Sequence, residues 1–338
     1  MSSEKNGAPP VGARTPVRKP VSKPAVWPPP PVANKPAPWL KPASVEPAAK
    51  PLPAADAATP VAAAVPVDKK LPLLFFSKRY KLTQCLGKGG KATVYKAFDK
   101  VLDIHVALKL LPDLSSLDAR TVRLIKQEAV LAMQLAHENI VRLYDVGFEG
   151  PRLFFIMEYV EGENFREILN RMGRLHPSTV MAVARSCAEA VEYAHRHGVI
   201  HGDLKPENLM VNKASVLRIV DFGTAMRMHS KVGDGEEVEG TPGYMSPEQL
   251  LGESLDRRTD VFSLGVVLAE LLTGQPVYQF DGDTNKLLDA RPNLGTDLPP
   301  AVLEVLHRAL TRFREDRWPT VAAFYEAFAK ATENGYAR

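Results

Sequence analysis

Between Tyr80 and Tyr159 the chain alternates apolar and polar residues in short runs broken by glycine or charged turns. That period-two pattern predicts strands at Tyr80–Leu86, Ala92–Asp99 and Ile104–Leu110, then at Val141–Phe148 and Leu153–Tyr159. Between the two groups, Arg120–Ala136 carries Val122, Ile125, Ala129, Ala132, Met133 and Leu135 at near-helical spacing with charges between them, which predicts one amphipathic helix. Beyond Tyr159 the period changes. Pro177 and Ser178 open a run with Val180, Val183, Ala184, Cys187, Val191 and Ala194 on one face, closed by Gly198. Short strands flank Asn212–Val216, and Val261–Leu272 and Ala301–Arg312 read as further helices. The pattern therefore predicts an α+β chain: a β-rich lobe over residues 80–159 with five strands and one helix, then a mostly helical lobe over 161–332.

Residues 1–77 have another texture, rich in Pro, Ala, Val and Lys, and hold 18 of the 29 prolines. Proline removes amide donors and fixes its own φ, so this stretch cannot sustain helix or sheet ladders and is expected to be a disordered tail with polyproline II character. Its Pro-x-x-Pro spacing suits a proline-recognition partner, with Trp27 and Trp39 the side chains to watch; a plain basic linker is the alternative. Up to and including Arg79 there are 12 basic and 4 acidic residues, leaving 31 and 35 of the totals of 43 and 39, so the segment through Arg79 carries +8 and the rest −4. A nucleic-acid-binding core would carry the excess on its folded part, and none is expected. Cys85 and Cys187 show neither metal-ligand spacing nor a disulfide framework, which suits a reducing cytoplasm. The start lacks a signal-peptide core, and the longest apolar run, Val261–Leu272, is too short to span a membrane, so a soluble cytoplasmic protein is expected.

Four strings carry chemistry. Gly87-Lys88-Gly89-Gly90-Lys91-Ala92-Thr93-Val94 lies between two predicted strands, where glycines let the backbone N–H groups approach a polyphosphate. A strand follows, not a helix, which argues against a dinucleotide-binding turn. Lys109 closes the apolar strand Val106-Ala107-Leu108, and Glu128 lies on the amphipathic helix; an ammonium can neutralise phosphate charge, and a carboxylate from a packed helix can orient it. The third string is His201-Gly202-Asp203-Leu204-Lys205-Pro206-Glu207-Asn208-Leu209-Met210, and the fourth is Asp221-Phe222-Gly223. Phosphoryl transfer needs a carboxylate aimed at the attacking hydroxyl, ligands for Mg²⁺ and positive charge at the transferred group. Asp203, Asn208 with Asp221, and Lys205 with Lys109 can supply these.

Together these strings resemble the signature set of the protein kinase family, over about Tyr80–Ala331. Gly240-Thr241-Pro242-Gly243-Tyr244-Met245-Ser246-Pro247-Glu248 resembles the end of a kinase activation segment, with Ser246 where alanine is usual. The resemblance implies a two-lobed fold with a five-stranded antiparallel sheet in the first lobe, of the eukaryotic-like type found in bacteria. It also implies ATP, Mg²⁺ or Mn²⁺, and protein substrates. Position by position, it implies that Gly87, Lys88, Gly89, Gly90 and Val94 cover the nucleotide and that Lys109, paired to Glu128, holds the α- and β-phosphates. Asp203 becomes the catalytic base, Lys205 a γ-phosphate contact, and Asn208 and Asp221 the metal ligands. Met157 falls at the gatekeeper position, Glu158 to Val160 at the adenine-binding hinge, and Ala107 and Met210 on either side of the base. Asp260 and Arg317 match structural anchors, Arg317 as partner of Glu248, and Lys205 with Thr241 marks the serine/threonine branch, Thr241 being expected to bond Asp203 and Lys205.

Two departures stand out. Ala92 replaces the third loop glycine. Gly202 replaces the arginine that in many kinases clamps a phosphorylated activation loop through charge-assisted bonds. The loop's few hydroxyls, among them Thr224 and Ser230, then lack their main receptor once phosphorylated, so no requirement for loop phosphorylation is expected. Two other readings stay open: a pseudokinase scaffold whose Pro-rich tail recruits partners, and a small-molecule phosphotransferase. The first has no need to retain Lys109, Glu128, Asp203, Asn208 and Asp221 together; the second has no reason to carry Lys205-Pro206-Glu207.

Overall fold

The computed structural model describes residues 75–76, 78–89, 92–113, 115, 119–222 and 241–336. Of the expected tail, all but Phe75 and Phe76 lies outside them; those two form a strand, because their backbones pair with Tyr80 and Lys81. Gly90, residues 223–240 of the expected activation loop, and the side chain of Glu128 also lie outside them.

The alternating segments form one antiparallel sheet from β1 (Phe75–Phe76), β2 (Tyr80–Lys88), β3 (Thr93–Asp99), β4 (Ile104–Asp113), β5 (Leu143–Glu149) and β6 (Arg152–Glu158), in the order β1-β2-β3-β4-β6-β5. The five predicted strands all form, and β1 adds a two-residue edge beside Tyr80 and Lys81. Helix α1 (Ala119–Met133) follows β4 in sequence. Because side chains alternate across a strand, β4 feeds two cores. Val106 and Leu108 pack with Tyr80, Ala97 and Ile156 on one face, while Ala107 packs with Met157 and with Ile125 and Ala129 of α1 on the other.

From Glu158 the chain crosses to β7 (Gly162–Asn164), which pairs with β8 (Leu209–Asn212), itself paired with β9 (Leu217–Ile219). A second tie reinforces this hinge. The Val141 N–H donates to the Ile219 carbonyl at 2.9 Å, the Ile219 N–H donates to the Asn139 carbonyl at 2.7 Å, and the Asn139 amide donates to the Leu217 carbonyl at 2.8 Å. The loop after α1 is thereby fixed to the strand that leads into Asp221.

The second lobe contains α2 (Phe165–Met172), α3 (Pro177–Arg196), α4 (Pro247–Leu250), α5 (Arg258–Thr273), α6 (Thr284–Asp289), α7 (Pro300–Ala309) and α8 (Val321–Tyr336). Helix α5 is apolar on nearly every side and is buried from Thr259 to Leu272, as a helix without a polar face must be. It forms the axis against which α3, α7 and α8 pack, and through Asp260 it holds the loop that begins at His201. Gly274 ends it with φ 72°, where a Cβ would stand 2.4 Å from the Gly173 carbonyl oxygen.

Candidate active site

The glycine-rich segment is a hairpin over the first-lobe sheet. Gly87 pairs with Val94 and Lys88 with Thr93, and the Gly89 N–H closes the turn on the Ala92 carbonyl at 2.9 Å. A Cβ added at Gly87 would meet nothing within 4 Å, so this glycine leaves open space rather than filling a need of the fold. Val94 pairs across the sheet with Lys109, which places the hairpin next to the lysine. Ala107 sits opposite Met157 on β6, both buried. Met210 pairs with Asn164 on the second-lobe sheet. Glu158, at the hinge, binds Arg218 and accepts its guanidinium N–H.

The Lys109 ammonium stands 2.9 Å from the Asp221 carboxylate. Burial pushes the Asp221 carboxyl up, but Lys109, with His201 and Lys205 behind it, outweighs burial and holds it below its ordinary value of 3.8. The group therefore stays ionised at neutral pH. Asp221 has φ 66°, a left-handed backbone that a non-glycine residue rarely adopts, and such strain gathers at functional sites. The neighbouring Phe222 is buried edge-on to the His201 ring, with centroids 4.6 Å apart, which keeps Asp221 turned toward Lys109. The Lys109–Glu128 pair involves a side chain outside the described residues.

Asp203 lies on the loop before a short 3₁₀ turn, Pro206–Asn208. The Asn208 amide donates to the Asp203 carbonyl at 2.7 Å and to its carboxylate at 2.9 Å, and the Lys205 ammonium reaches the carboxylate at 2.8 Å. With its NH₂ committed to Asp203, Asn208 has its amide oxygen directed elsewhere. His201 joins the two loops: its Nδ1 accepts from the Asp203 N–H at 3.2 Å while its Nε2 bonds the Val220 carbonyl at 3.0 Å, next to Asp221. Buried Asp260 accepts from the N–H groups of His201 and Gly202, both at 2.8 Å, and from His195 at 2.7 Å.

No group of three or more His, Cys, Asp or Glu side chains among the described residues could hold a metal unaided. Asn208 and Asp221 still suit a hard divalent cation, which binds oxygen and commonly takes one or two protein ligands with the rest from substrate phosphates.

A second cluster, which the periodic pattern did not reveal, ties the loop of Glu207 to α2, α5 and Tyr244. Arg166 on α2 donates to Glu207 at 2.9 Å, to Glu270 of α5 at 2.8 Å, and to the Tyr244 hydroxyl, which itself donates to Glu270. Burial pulls the Arg166 guanidinium down, and Glu270 and Glu207 more than reverse that, so its pKa stands above its ordinary value. Glu248 and Arg317 form the expected pair, with two N–H···O bonds of 2.8 Å. Thr241 departs from expectation: it is exposed, and no bond joins its hydroxyl to Asp203 or Lys205.

Comparison with known proteins agrees with this geometry. The model of the protein kinase domain matches residues 80–321. A probable serine/threonine-protein kinase of Clostridium acetobutylicum is 35% identical over 266 residues, covering 76% of this chain and 40% of that protein. The serine/threonine-protein kinase PrkC of Bacillus subtilis is 36% identical over 209 residues, 62% of this chain and 32% of its own. This chain therefore spans well under half the length of these relatives. A point mutant of the PknI kinase domain of Mycobacterium tuberculosis superposes with a TM-score of 0.62 at 26% identity, over 75% of this chain and 95% of that one. No helix among the described residues is long and apolar enough to cross a membrane. With Lys109 paired to Val94 of the glycine hairpin and facing Asp221, with His201 linking the Asp203 loop to the strand before Asp221, and with the family model matching residues 80–321, the chain belongs to the protein kinase domain family.

Proposed function

We propose that this chain is an ATP-dependent kinase that transfers the γ-phosphate to serine or threonine hydroxyls of proteins. The observation that carries the reading is the state of Asp203: its carboxylate is held by Asn208 and Lys205. A second carboxylate of the set, Asp221, faces Lys109. The two carboxylates are thus divided between roles. Asp203 accepts the proton of the incoming hydroxyl, and Lys205 beside it faces the transferred phosphoryl group. Lys109 meets the other phosphates under the hairpin of Gly87, Lys88, Gly89 and Val94, and Ala107, Met157, Glu158, Val160 and Met210 enclose the adenine. Asn208 and Asp221 would hold a divalent cation, Mg²⁺ or Mn²⁺, which when bound neutralises charge on the phosphate oxygens. Protein serine and threonine side chains are the substrate class, as in the serine/threonine-protein kinases that this chain resembles.

Control by a phosphorylated activation loop is not required in this reading. Gly202 stands where the clamping arginine would be, at φ 71°, a conformation natural to glycine. Thr224 and Ser230 lie outside the described residues. Replacing both by alanine should leave most of the initial rate; loss of most activity would count against this part.

A pseudokinase scaffold, its tail recruiting a proline-binding partner, is the second reading, favoured only by the tail's composition. Incubating the chain with labelled ATP, Mg²⁺ and a generic protein substrate, then analysing phosphoamino acids, separates the two. Label on serine or threonine supports the kinase. An ATP-dependent melting shift without any transfer supports the scaffold.

A further inference from the structure

Gly202 and Ser246, both departures from the family pattern, meet at one side chain. Gln249, the first residue after the Glu248 that pairs with Arg317, is buried. Its Nε2 donates to the Gly202 carbonyl at 2.7 Å, and its Oε1 accepts from the Ser246 N–H at 3.0 Å and from the Ser246 hydroxyl at 3.2 Å. Two donors on one atom and one acceptor on the other fix the orientation of the amide, since a flip would oppose donor to donor and acceptor to acceptor.

Gly202 and Asp203 share the peptide unit that sets where the Asp203 carboxylate points. Its carbonyl is taken by Gln249 and its N–H, that of Asp203, by the His201 ring at 3.2 Å. The preceding N–H, that of Gly202, is held by Asp260 at 2.8 Å. Asp260 and His201 anchor the turn from the helical core and the catalytic loop itself. Gln249 alone of these anchors comes from the segment Pro242–Gln249, which carries the Tyr244 contacts of the substrate side. Gln249 and Ser246 are both buried, so the link is shielded from competing water.

We infer that Gln249, oriented by Ser246, is a positioning residue for phosphoryl transfer: it ties the substrate-side segment to the backbone turn that aims Asp203, and so supplies without a phosphate the coupling that an arginine clamp would supply in its place. This rests on the reading of Asp203 as the base. It explains why a hydroxyl at position 246 is useful here, and why Gly202 leaves the catalytic loop held on the activation-segment side.

The full chain and the variants Q249M, S246A and D203A would be compared in steady-state transfer to a generic protein substrate, with ATP-induced melting shifts measured alongside. Methionine keeps length and burial but loses the donor. Q249M should lower kcat by about 10- to 100-fold, the effect of displacing a reacting group by a fraction of an ångström to an ångström, with KM for ATP and the ATP-induced melting shift unchanged. S246A, which keeps the donor and loses one orienting bond, should lower kcat by less, again at constant KM for ATP. Wild-type kcat in Q249M, or a rise in KM for ATP that accounts for its loss, overturns the inference. Should Q249M fail to fold, S246A decides, and an unchanged kcat there overturns it equally. D203A separates the two levels: D203A inactive with Q249M fully active removes the positioning role alone, whereas D203A fully active removes the base reading on which it depends.

Discussion

Replacing Glu248 by glutamine tests the anchor behind the substrate segment. Arg317 is a fully buried side chain whose five N–H groups all have acceptors. Nε donates to the Thr311 carbonyl at 2.8 Å, Nη1 to Glu248 at 2.8 Å and the Arg258 carbonyl at 3.2 Å, and Nη2 to Glu248 at 2.8 Å and the Arg312 carbonyl at 2.9 Å. Glu248 also accepts from the Thr259 hydroxyl at 2.8 Å. Glutamine preserves the shape but turns an NH₂ toward one arm of the guanidinium and leaves its charge without a counter-ion. Breaking a buried pair in this way costs about 3–5 kcal/mol. In E248Q/R317M the stranded charge is gone, yet three backbone carbonyls lose their donor. The double variant should therefore remain destabilised, but by less than the sum, with a coupling of about 2–3 kcal/mol. Urea unfolding followed by intrinsic fluorescence reads this out, since Trp318 lies beside Arg317 with its indole N–H on the Val305 carbonyl. Burial pushes the Glu248 carboxyl up, but Arg317 outweighs burial and holds it below its ordinary value of 4.5. A depressed folded pKa gives stability that is present above the unfolded value and lost as pH falls through the folded one. The gap between wild type and E248Q should thus be full at neutral pH and close in acid below the ordinary value. A gap under about 1 kcal/mol at neutral pH, or one that widens in acid, refutes the reasoning.

Lys109→Met should lower transfer by about 10²- to 10³-fold by removing the charge that faces Asp221 and, in the proposed role, the phosphates, with the chain still folding cooperatively but melting somewhat lower because the Asp221 carboxylate loses its counter-ion. Activity close to wild type contradicts that assignment. Gly162→Ala places a Cβ 1.9 Å from the Val211 carbonyl oxygen in the β7–β8 pair just after the hinge, where only backbone can yield. It should destabilise the chain by about 1–3 kcal/mol in urea unfolding, and a neutral result would show that the two strands can part freely.

The sheet was legible because half-buried strands write their period into the sequence, as Val106 and Leu108 against Ala107 show. Helix α3 likewise announced itself through one continuous apolar face. The Glu248–Arg317 pair came from the family resemblance, not from any pattern. Helix α2 carried a readable signal that periodicity alone passes over: Asn164 and Glu167 form a reciprocal capping box, the Asn164 side chain accepting from the Glu167 N–H at 2.9 Å and the Asn164 N–H donating to Glu167 at 2.9 Å. The Arg166 cluster left no such trace. Its members come from α2, the catalytic loop, the segment after the activation loop and α5, so their meeting is a product of tertiary packing. Gln249 is similar, a polar residue that local pattern assigns to a helix surface, yet it lies buried on the carbonyl of Gly202. Thr241 shows the opposite error. A role transferred from the family does not hold in this arrangement, where Thr241 is exposed and its hydroxyl bonds neither residue.

The central claim is that Asp203 is the base of a phosphoryl transfer, and D203A tests it most directly. The initial rate of label transfer from ATP with Mg²⁺ to a protein substrate would be measured for both chains at equal concentration, with folding checked by melting. The account predicts a fall of at least ~10²-fold, the lower end of what general-base catalysis supplies. Equal rates from wild type and D203A would contradict it.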